Sequence, residues 1–147
     1  MISLSPRETS LAGLAFGHRV MKPGLVIVVR GELGAGKTHF IKGIAASVEI
    51  DDRWITSPTY ALANEYECML NGEPFTLYHL DCYRFEKPEE LLELGVEDYL
   101  YPVNAATVIE WPERIEELIP ATALEVELLI VGENDREILL PGKGRRI

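Results

Sequence analysis

The spacing of apolar positions changes along the chain, and each change marks a different element. Leu25-Val26-Ile27-Val28-Val29 is a continuous, mostly β-branched run without polar alternation, the pattern of a strand buried on both faces of a parallel sheet. Before it, Ser5-Pro6-Arg7-Glu8 places a capping serine, a proline at the first helical position and a glutamate three residues after the cap. That predicts a helix running toward Met21 and stopping at Pro23-Gly24. After the run, Phe40, Ile41, Ile44 and Ala45 recur at helical spacing, so a second helix is predicted from Lys37 to about Val48.

Asp51-Asp52 opens an irregular stretch, and Ser57-Pro58 biases the chain toward an extended or turning path. Tyr60 to Met69 and Phe75 to Leu80 flank Asn71-Gly72, which predicts an antiparallel hairpin whose second strand ends at Asp81. Pro88 to Gly95 reads as a short amphipathic helix with acids in its first turn and glycine after its end. Thr107-Val108-Ile109 is a further buried strand, ending at Glu110. A short helix after Pro112, then Leu124 to Val131 and Ile138 to Leu140 joined by Asn134-Asp135, complete the chain as strand, turn, strand.

Between the first buried strand and its helix lies Gly31-Glu32-Leu33-Gly34-Ala35-Gly36-Lys37-Thr38, which matches the phosphate-binding pattern Gly-x-x-x-x-Gly-Lys-Thr. A strand delivering the chain into Gly31 and a helix starting at Lys37 aim backbone N–H groups and a helix N-terminus at one point, where phosphate binds. Gly34 and Gly36 let the backbone turn and approach phosphate oxygens without a β-carbon in the way. Lys37 is expected between the β- and γ-phosphates, and the Thr38 hydroxyl is expected to reach Mg2+, a hard cation that takes a few oxygen ligands beside the phosphates. Glu32 can point outward while its backbone bonds phosphate. No Asn-Lys-x-Asp motif reads guanine and no Asp-x-x-Gly switch follows the loop, so ATP is the expected nucleotide. The chain is thus expected to be α/β, a single three-layer P-loop NTPase domain over residues 1–147 with a mixed, mostly parallel sheet and antiparallel hairpins.

Composition narrows the partners. With 147 residues the chain closes one hydrophobic core, and its 14 Lys and Arg against 24 Asp and Glu give a formal net charge of −10, which disfavours autonomous binding to nucleic acid. The tail residues Lys143, Arg145 and Arg146 are a small exception, read as a solvated terminus. The N-terminus lacks a basic region followed by an apolar stretch, and the run from Leu25 to Val29 is too short for a bilayer, so neither export nor a membrane role is expected. Cys68 and Cys82 form no Cys-x-x-Cys pair and are expected to be reduced packing residues, as in a cytoplasmic protein.

A P-loop site needs an acid at the end of a neighbouring strand to hold magnesium and to position the attacking water. Asp81, after Leu77-Tyr78-His79-Leu80, and Glu110, after Thr107-Val108-Ile109, both follow apolar runs and are expected at the carboxyl edge of the sheet. Either could instead cap the next turn. Strand quality favours Glu110 as the magnesium ligand, with Asp81 ordering water or sensing the metal. Ser57-Pro58-Thr59-Tyr60 has the hydroxyls of a switch over the γ-phosphate, or is a common turn. His79 reads as a packed or hydrogen-bonded residue, Trp54 and Trp111 as core or interface aromatics, and Arg84 as a phosphate contact or a partner of Glu86 or Glu89.

The blocks Gly-Glu-Leu-Gly-Ala-Gly-Lys-Thr at 31–38, Ser-Pro-Thr-Tyr at 57–60, His-Leu-Asp-Cys-Tyr-Arg at 79–84, the run ending at Gly95, and Ile-Glu-Trp-Pro at 109–112 occur in an order and spacing that resembles the bacterial TsaE (YjeE) family. That family is the ATPase of the tRNA threonylcarbamoyladenosine system. The resemblance, from about Thr9 to Arg136, implies a cytoplasmic protein that hydrolyses ATP to ADP weakly alone and acts with TsaD and TsaB, meeting tRNA only through those partners. By the same resemblance Lys37 and Thr38 match the phosphate and magnesium residues, Glu110 the acid on magnesium, Asp81 the essential aspartate, which also counts among the metal-binding candidates, Thr59 the switch-like threonine and Thr9 a position near the base. The expected nucleotide contacts therefore comprise Thr9, Gly31, Glu32, Leu33, Gly34, Ala35, Gly36, Lys37, Thr38, His39 and Thr59. His39 departs from the family, where a small hydroxyl residue is commoner.

Two other readings compete with an accessory ATPase. A small-molecule ATP-dependent kinase needs an acceptor pocket and usually an arginine-bearing lid, and the arginines here are scattered. A nucleotide-binding scaffold without catalysis suits the loop alone, and Asp81 and Glu110 argue against it.

Overall fold

In the computed structural model, the β-branched run lies at the centre of a sheet with helices on both faces. The structure describes residues 1–51, 53, 55–56 and 62–141. The expectations on Asp52, Trp54, Ser57-Pro58-Thr59-Tyr60 and the tail Lys143, Arg145 and Arg146 therefore lie outside the described residues.

The elements follow the order β1 (Ile2–Ser3), α1 (Pro6–Val20), β2 (Val26–Arg30), α2 (Lys37–Ala46), β3 (Ala63–Leu70), β4 (Glu73–Asp81), α3 (Pro88–Glu93), α4 (Glu97–Leu100), β5 (Ala105–Glu110), a kinked 3-10 segment (Pro112–Leu118), β6 (Leu124–Ile130) and β7 (Arg136–Leu139). Among the described residues the strands form one seven-stranded sheet in the order β1-β7-β6-β2-β5-β4-β3. The middle strands β6, β2, β5 and β4 pair in parallel, and the antiparallel pairs lie at the flanks, β3 on β4 at one side and β7 with β1 at the other. The architecture is the expected three-layer α/β domain, with its parallel pairing confined to the middle of the sheet.

Sequence chemistry accounts for the element ends. Ser5 accepts the Glu8 N–H at 3.1 Å, satisfying a donor that the start of α1 leaves open, and Glu8 reaches back to the Leu4 N–H at 3.1 Å, just before the cap. Asn71 and Gly72 both have positive φ, 53° and 80°, as the tight turn between β3 and β4 requires. Two elements went unforeseen. α4 follows a break at Gly95, whose φ is 82°, and β1 is a two-residue strand added to β7.

Alternation along the strands decides which layer each side chain joins. Ile27, Val29, Leu77, Ala106, Val108, Val126 and Leu128 pack with α1 and α2, whereas Val26, Val28, Leu80 and Ile109 pack with the α3, α4 and 3-10 side. Because strand side chains alternate with period two, His79 and Asp81 of β4 and Glu110 of β5 share the face of Leu77 and Val108, which is the face covered by the phosphate-loop helix. Arg30, two residues beyond Val28, faces the opposite layer.

Candidate nucleotide site

The loop between β2 and α2 is held open by its own backbone. Gly36, the residue before α2, has φ 98°, and Gly34 has φ 85° with nothing within 4 Å of where a β-carbon would stand. Ala35 is buried and anchors the loop, its N–H donating to the Glu32 carbonyl at 3.0 Å. Leu33 stands out at the tip, 76% exposed. Arg136 of β7 braces the loop from outside, donating to the Gly34 carbonyl at 3.0 Å and to the Asp135 carbonyl at 2.9 Å.

A cleft of about 360 Å³ lies against this loop, lined by Leu33, Gly34, Ala35, Gly36, Lys37, Thr38, His39, Asp81, Tyr83, Glu110 and Trp111. Its floor follows from strand register. Asp81 and Glu110 are directly paired on β4 and β5, and Glu110 is also paired with Val29 on β2, so both acids end parallel strands beside the strand that feeds the loop. Hydrogen-bonded strands lie about 4.8 Å apart, which brings the two carboxylates to one edge, next to the first turn of α2.

Lys37 is buried. Its ammonium donates to the carbonyls of Gly31 and, at 3.4 Å, Glu32, and lies 3.6 Å from the centroid of the Trp111 ring. Burial lowers its pKa, opposed by Glu110, Glu113, Asp81 and Glu32. Trp111 is held in the left-handed region, φ 56° and ψ 52°, unusual for a bulky residue. Its ring also lies 4.8 Å from that of Tyr83. Asp81 accepts the Tyr83 N–H at 2.9 Å. Burial pushes its carboxyl above the usual range, the Tyr83 N–H opposes this, and Glu110 adds to the rise.

Glu110 is deeply buried and its Oε2 lies 2.6 Å from His79 Nε2, within the sheet face under the cleft. The sequence marked His79 as packed or hydrogen-bonded. Standing two residues before Asp81, His79 shares that residue's face, and which side chain it meets there depends on how β4 is set against β5.

A second cavity of about 130 Å³ adjoins the loop, lined by Ser5, Pro6, Thr9, Gly34, Gly36, His39, Asn134 and Arg136. It brings Thr9 and His39 to the outer side of Gly36. The Thr9 hydroxyl is 2.7 Å from Ser3 Oγ and 3.3 Å from the Ser5 carbonyl, so its methyl group is the part directed at Gly36. Arg84 lies over the Phe85 ring at 5.1 Å. Cys68 and Cys82 are free thiols, both pushed up by burial, to about 11 and about 12.

An ion pair cluster on the other face went unforeseen. Arg30 donates to both oxygens of Glu116, to Glu125 at 2.7 Å, and lies 3.8 Å from Glu113. It ties the 3-10 segment that follows Trp111 to the end of β2, one residue before the loop begins.

The donors around the cleft suit Mg2+. Thr38 offers a hydroxyl, and Asp81 and Glu110 offer carboxylates, a hard-oxygen set small enough to leave room for phosphate and water ligands. Among the described residues no group of three or more His, Cys, Asp and Glu side chains is gathered as a metal cage. No helix among them is long and apolar enough to cross a membrane.

The comparisons with known proteins agree with one another. The family model for threonylcarbamoyl adenosine biosynthesis protein TsaE matches residues 4–138. The tRNA threonylcarbamoyladenosine biosynthesis protein TsaE of Treponema pallidum is 36% identical over 137 residues, covering 93% of this chain and 96% of that protein. That of Bacillus subtilis is 38% identical over 145 residues, covering 98% and 85%. A crystal structure of Bacillus subtilis YdiB superposes with a TM-score of 0.70 at 32% identity, over 94% of this chain and 80% of that one. With the match spanning nearly every element that builds the cleft, the chain belongs to the TsaE family of tRNA threonylcarbamoyladenosine biosynthesis proteins.

Proposed function

We propose that this protein binds Mg2+ and ATP in the cleft, hydrolyses ATP slowly, and serves the modification of tRNA as an accessory subunit acting with TsaD and TsaB. The observation that carries the reading is the pairing of Asp81 with Glu110 at the ends of adjacent parallel strands, facing Lys37 and Thr38 across one cleft. Backbone N–H groups of 33–38 and the Lys37 ammonium hold the phosphates, and burial of Lys37 strengthens that charge contact. Thr38 and Glu110 would hold the ion, with Asp81 beside them. An Mg2+ ion held there would supply neutralisation of phosphate charge. Asp81, whose burial raises its basicity, would orient the attacking water and accept its hydrogen bond. The acidic balance of −10 supports contact with tRNA through partners rather than through this chain. The work of such a subunit would lie in the cytoplasm.

The test is ATP hydrolysis by the purified chain with and without TsaD and TsaB, alongside Lys37→Ala. A slow rate that needs Mg2+ and Lys37 and changes with the partners supports the reading. A rate indifferent to TsaD and TsaB but raised by a small metabolite acceptor replaces it with the kinase.

A further inference from the structure

Beneath the cleft, two side chains of the sheet interior face each other with little access to water: His79 is 2% exposed and Glu110 3%. His79 Nε2 lies 2.6 Å from Glu110 Oε2. Where the carboxylate is ionised it only accepts, and Nε2–H is then the donor of this hydrogen bond. His79 Nδ1 is buried and has no hydrogen-bond partner among the described residues, a cost that a leucine such as its face neighbour Leu77 does not carry. What offsets it is the bond to Glu110. That bond commits one oxygen of the carboxylate inside the sheet, while Glu110 still lines the cleft and Oε1 has no hydrogen bond from a described residue.

We propose that His79 is a positioning residue for Glu110, fixing the carboxylate by an Nε2–H bond so that Oε1 is presented to the metal-binding side of the cleft. The proposal rests on the Mg2+-dependent nucleotide site described above and deepens it. A carboxylate ligand held by a hydrogen bond from behind keeps its orientation without reorganising when the ion arrives, and loss of such a partner typically weakens metal affinity. His79 touches neither nucleotide nor water in this account; it acts through Glu110 alone.

The experiment measures nucleotide binding calorimetrically with ADP, across a Mg2+ series and in EDTA, for the wild type, His79→Leu and His79→Gln. The Gln side chain carries an N–H near the place of Nε2. His79→Leu is expected to raise the Mg2+ concentration for half-maximal effect by about 10- to 100-fold while leaving affinity in EDTA unchanged, and His79→Gln to restore most of it. Long-range ¹⁵N–¹H spectra of the wild type are expected to show the Nε2–H tautomer. A wild-type midpoint in His79→Leu overturns the proposal, as does an equal loss with and without Mg2+, which marks a purely structural role. If the leucine variant fails to fold, the glutamine variant and the tautomer decide, and an Nδ1–H tautomer overturns it. A wild type that binds ADP without regard to Mg2+ fails at the earlier step and removes the magnesium reading together with this one.

Discussion

Gly43 of the phosphate-loop helix meets Ser10 of the N-terminal helix backbone to backbone: a β-carbon at 43 would lie 2.0 Å from the Ser10 carbonyl oxygen and 2.7 Å from the Leu14 nitrogen. Gly13 makes the reciprocal approach, its β-carbon position lying 2.1 Å from the Phe40 carbonyl oxygen. The contact presses α1 onto α2 at the level where Ser10 Oγ donates to the His39 carbonyl at 3.0 Å. Gly43→Ala forces the helices apart, at about 1–3 kcal/mol, against a gain of about 0.5–1 kcal/mol in helix propensity. The expected outcome is a net loss of roughly 1–2 kcal/mol, read as a fall of a few degrees in Tm. Gly34→Ala, where the added carbon meets nothing but φ is 85°, is expected to cost only the left-handed backbone, about 1–2 kcal/mol, without loosening α1. Hydrogen exchange in α1 separates them: it accelerates in Gly43→Ala alone.

Removing Arg30 leaves Glu113, Glu116 and Glu125 facing one another beside the 3-10 segment. All three are about half exposed and regain water, so Arg30→Met should destabilise by only about 1 kcal/mol in moderate salt. The sign of its pH dependence is fixed. The Arg30 hydrogen bond holds the Glu116 carboxyl below its usual range, so the pair contributes above the ordinary glutamate pKa and its contribution is lost as pH falls through the depressed one. The Tm gap between wild type and Arg30→Met should therefore be widest near neutrality and close in acid. A gap that grows on acidification contradicts the cluster.

Much of this geometry was legible in the sequence because its signals are local. The β-branched run, the glycines at 34 and 36, and the capping residues Ser5 and Glu8 act within a few residues of themselves, and β2, the loop and α1 follow from them. The placing of Asp81 and Glu110 at strand ends was legible for the same reason. What alternation alone did not reveal is register: that Asp81 pairs with Glu110 rather than with a neighbour depends on how β4 is set against β5, and the bond between His79 and Glu110, 31 residues apart, depends on it too. Arg30 is hidden more deeply, since its partners come from β6 and the 3-10 segment, which only the crossover of the chain brings together.

The ammonium of Lys37 rests 3.6 Å from the centroid of the Trp111 ring, a cation–π contact worth on the order of 1–2 kcal/mol where water is excluded. Phosphate oxygens compete for the same ammonium through stronger, charge-assisted bonds. Nucleotide binding should therefore change the emission of Trp111. The chain has two tryptophans, so the assignment needs both variants: the response on adding ADP and Mg2+ should persist in Trp54→Phe and vanish in Trp111→Phe. A response that follows Trp54 instead would separate the optical change from the contact between Lys37 and Trp111.

In the proposed role, Asp81 would trade stability for chemistry. Burial raises its carboxyl pKa above the unfolded value, near 3.9 for aspartate, with Glu110 adding to the rise. Because the folded chain then binds a proton more tightly than the unfolded one, the linkage favours folding at low pH, and that contribution is lost as pH climbs through the raised pKa. Above that raised pKa the ionised carboxylate is thus a burden on the free protein. Asp81→Asn removes the charge and keeps an oxygen to accept the Tyr83 N–H that now lies 2.9 Å away, so the variant should melt higher than the wild type at about pH 7.5, with the advantage vanishing toward pH 4. The same change should abolish ATP hydrolysis, since an amide cannot take a proton from water. Paired measurements of Tm and hydrolysis test the trade directly: a variant that melts lower at neutral pH would mean the carboxylate is satisfied in the free protein, and one that keeps its hydrolysis would remove Asp81 from the reaction.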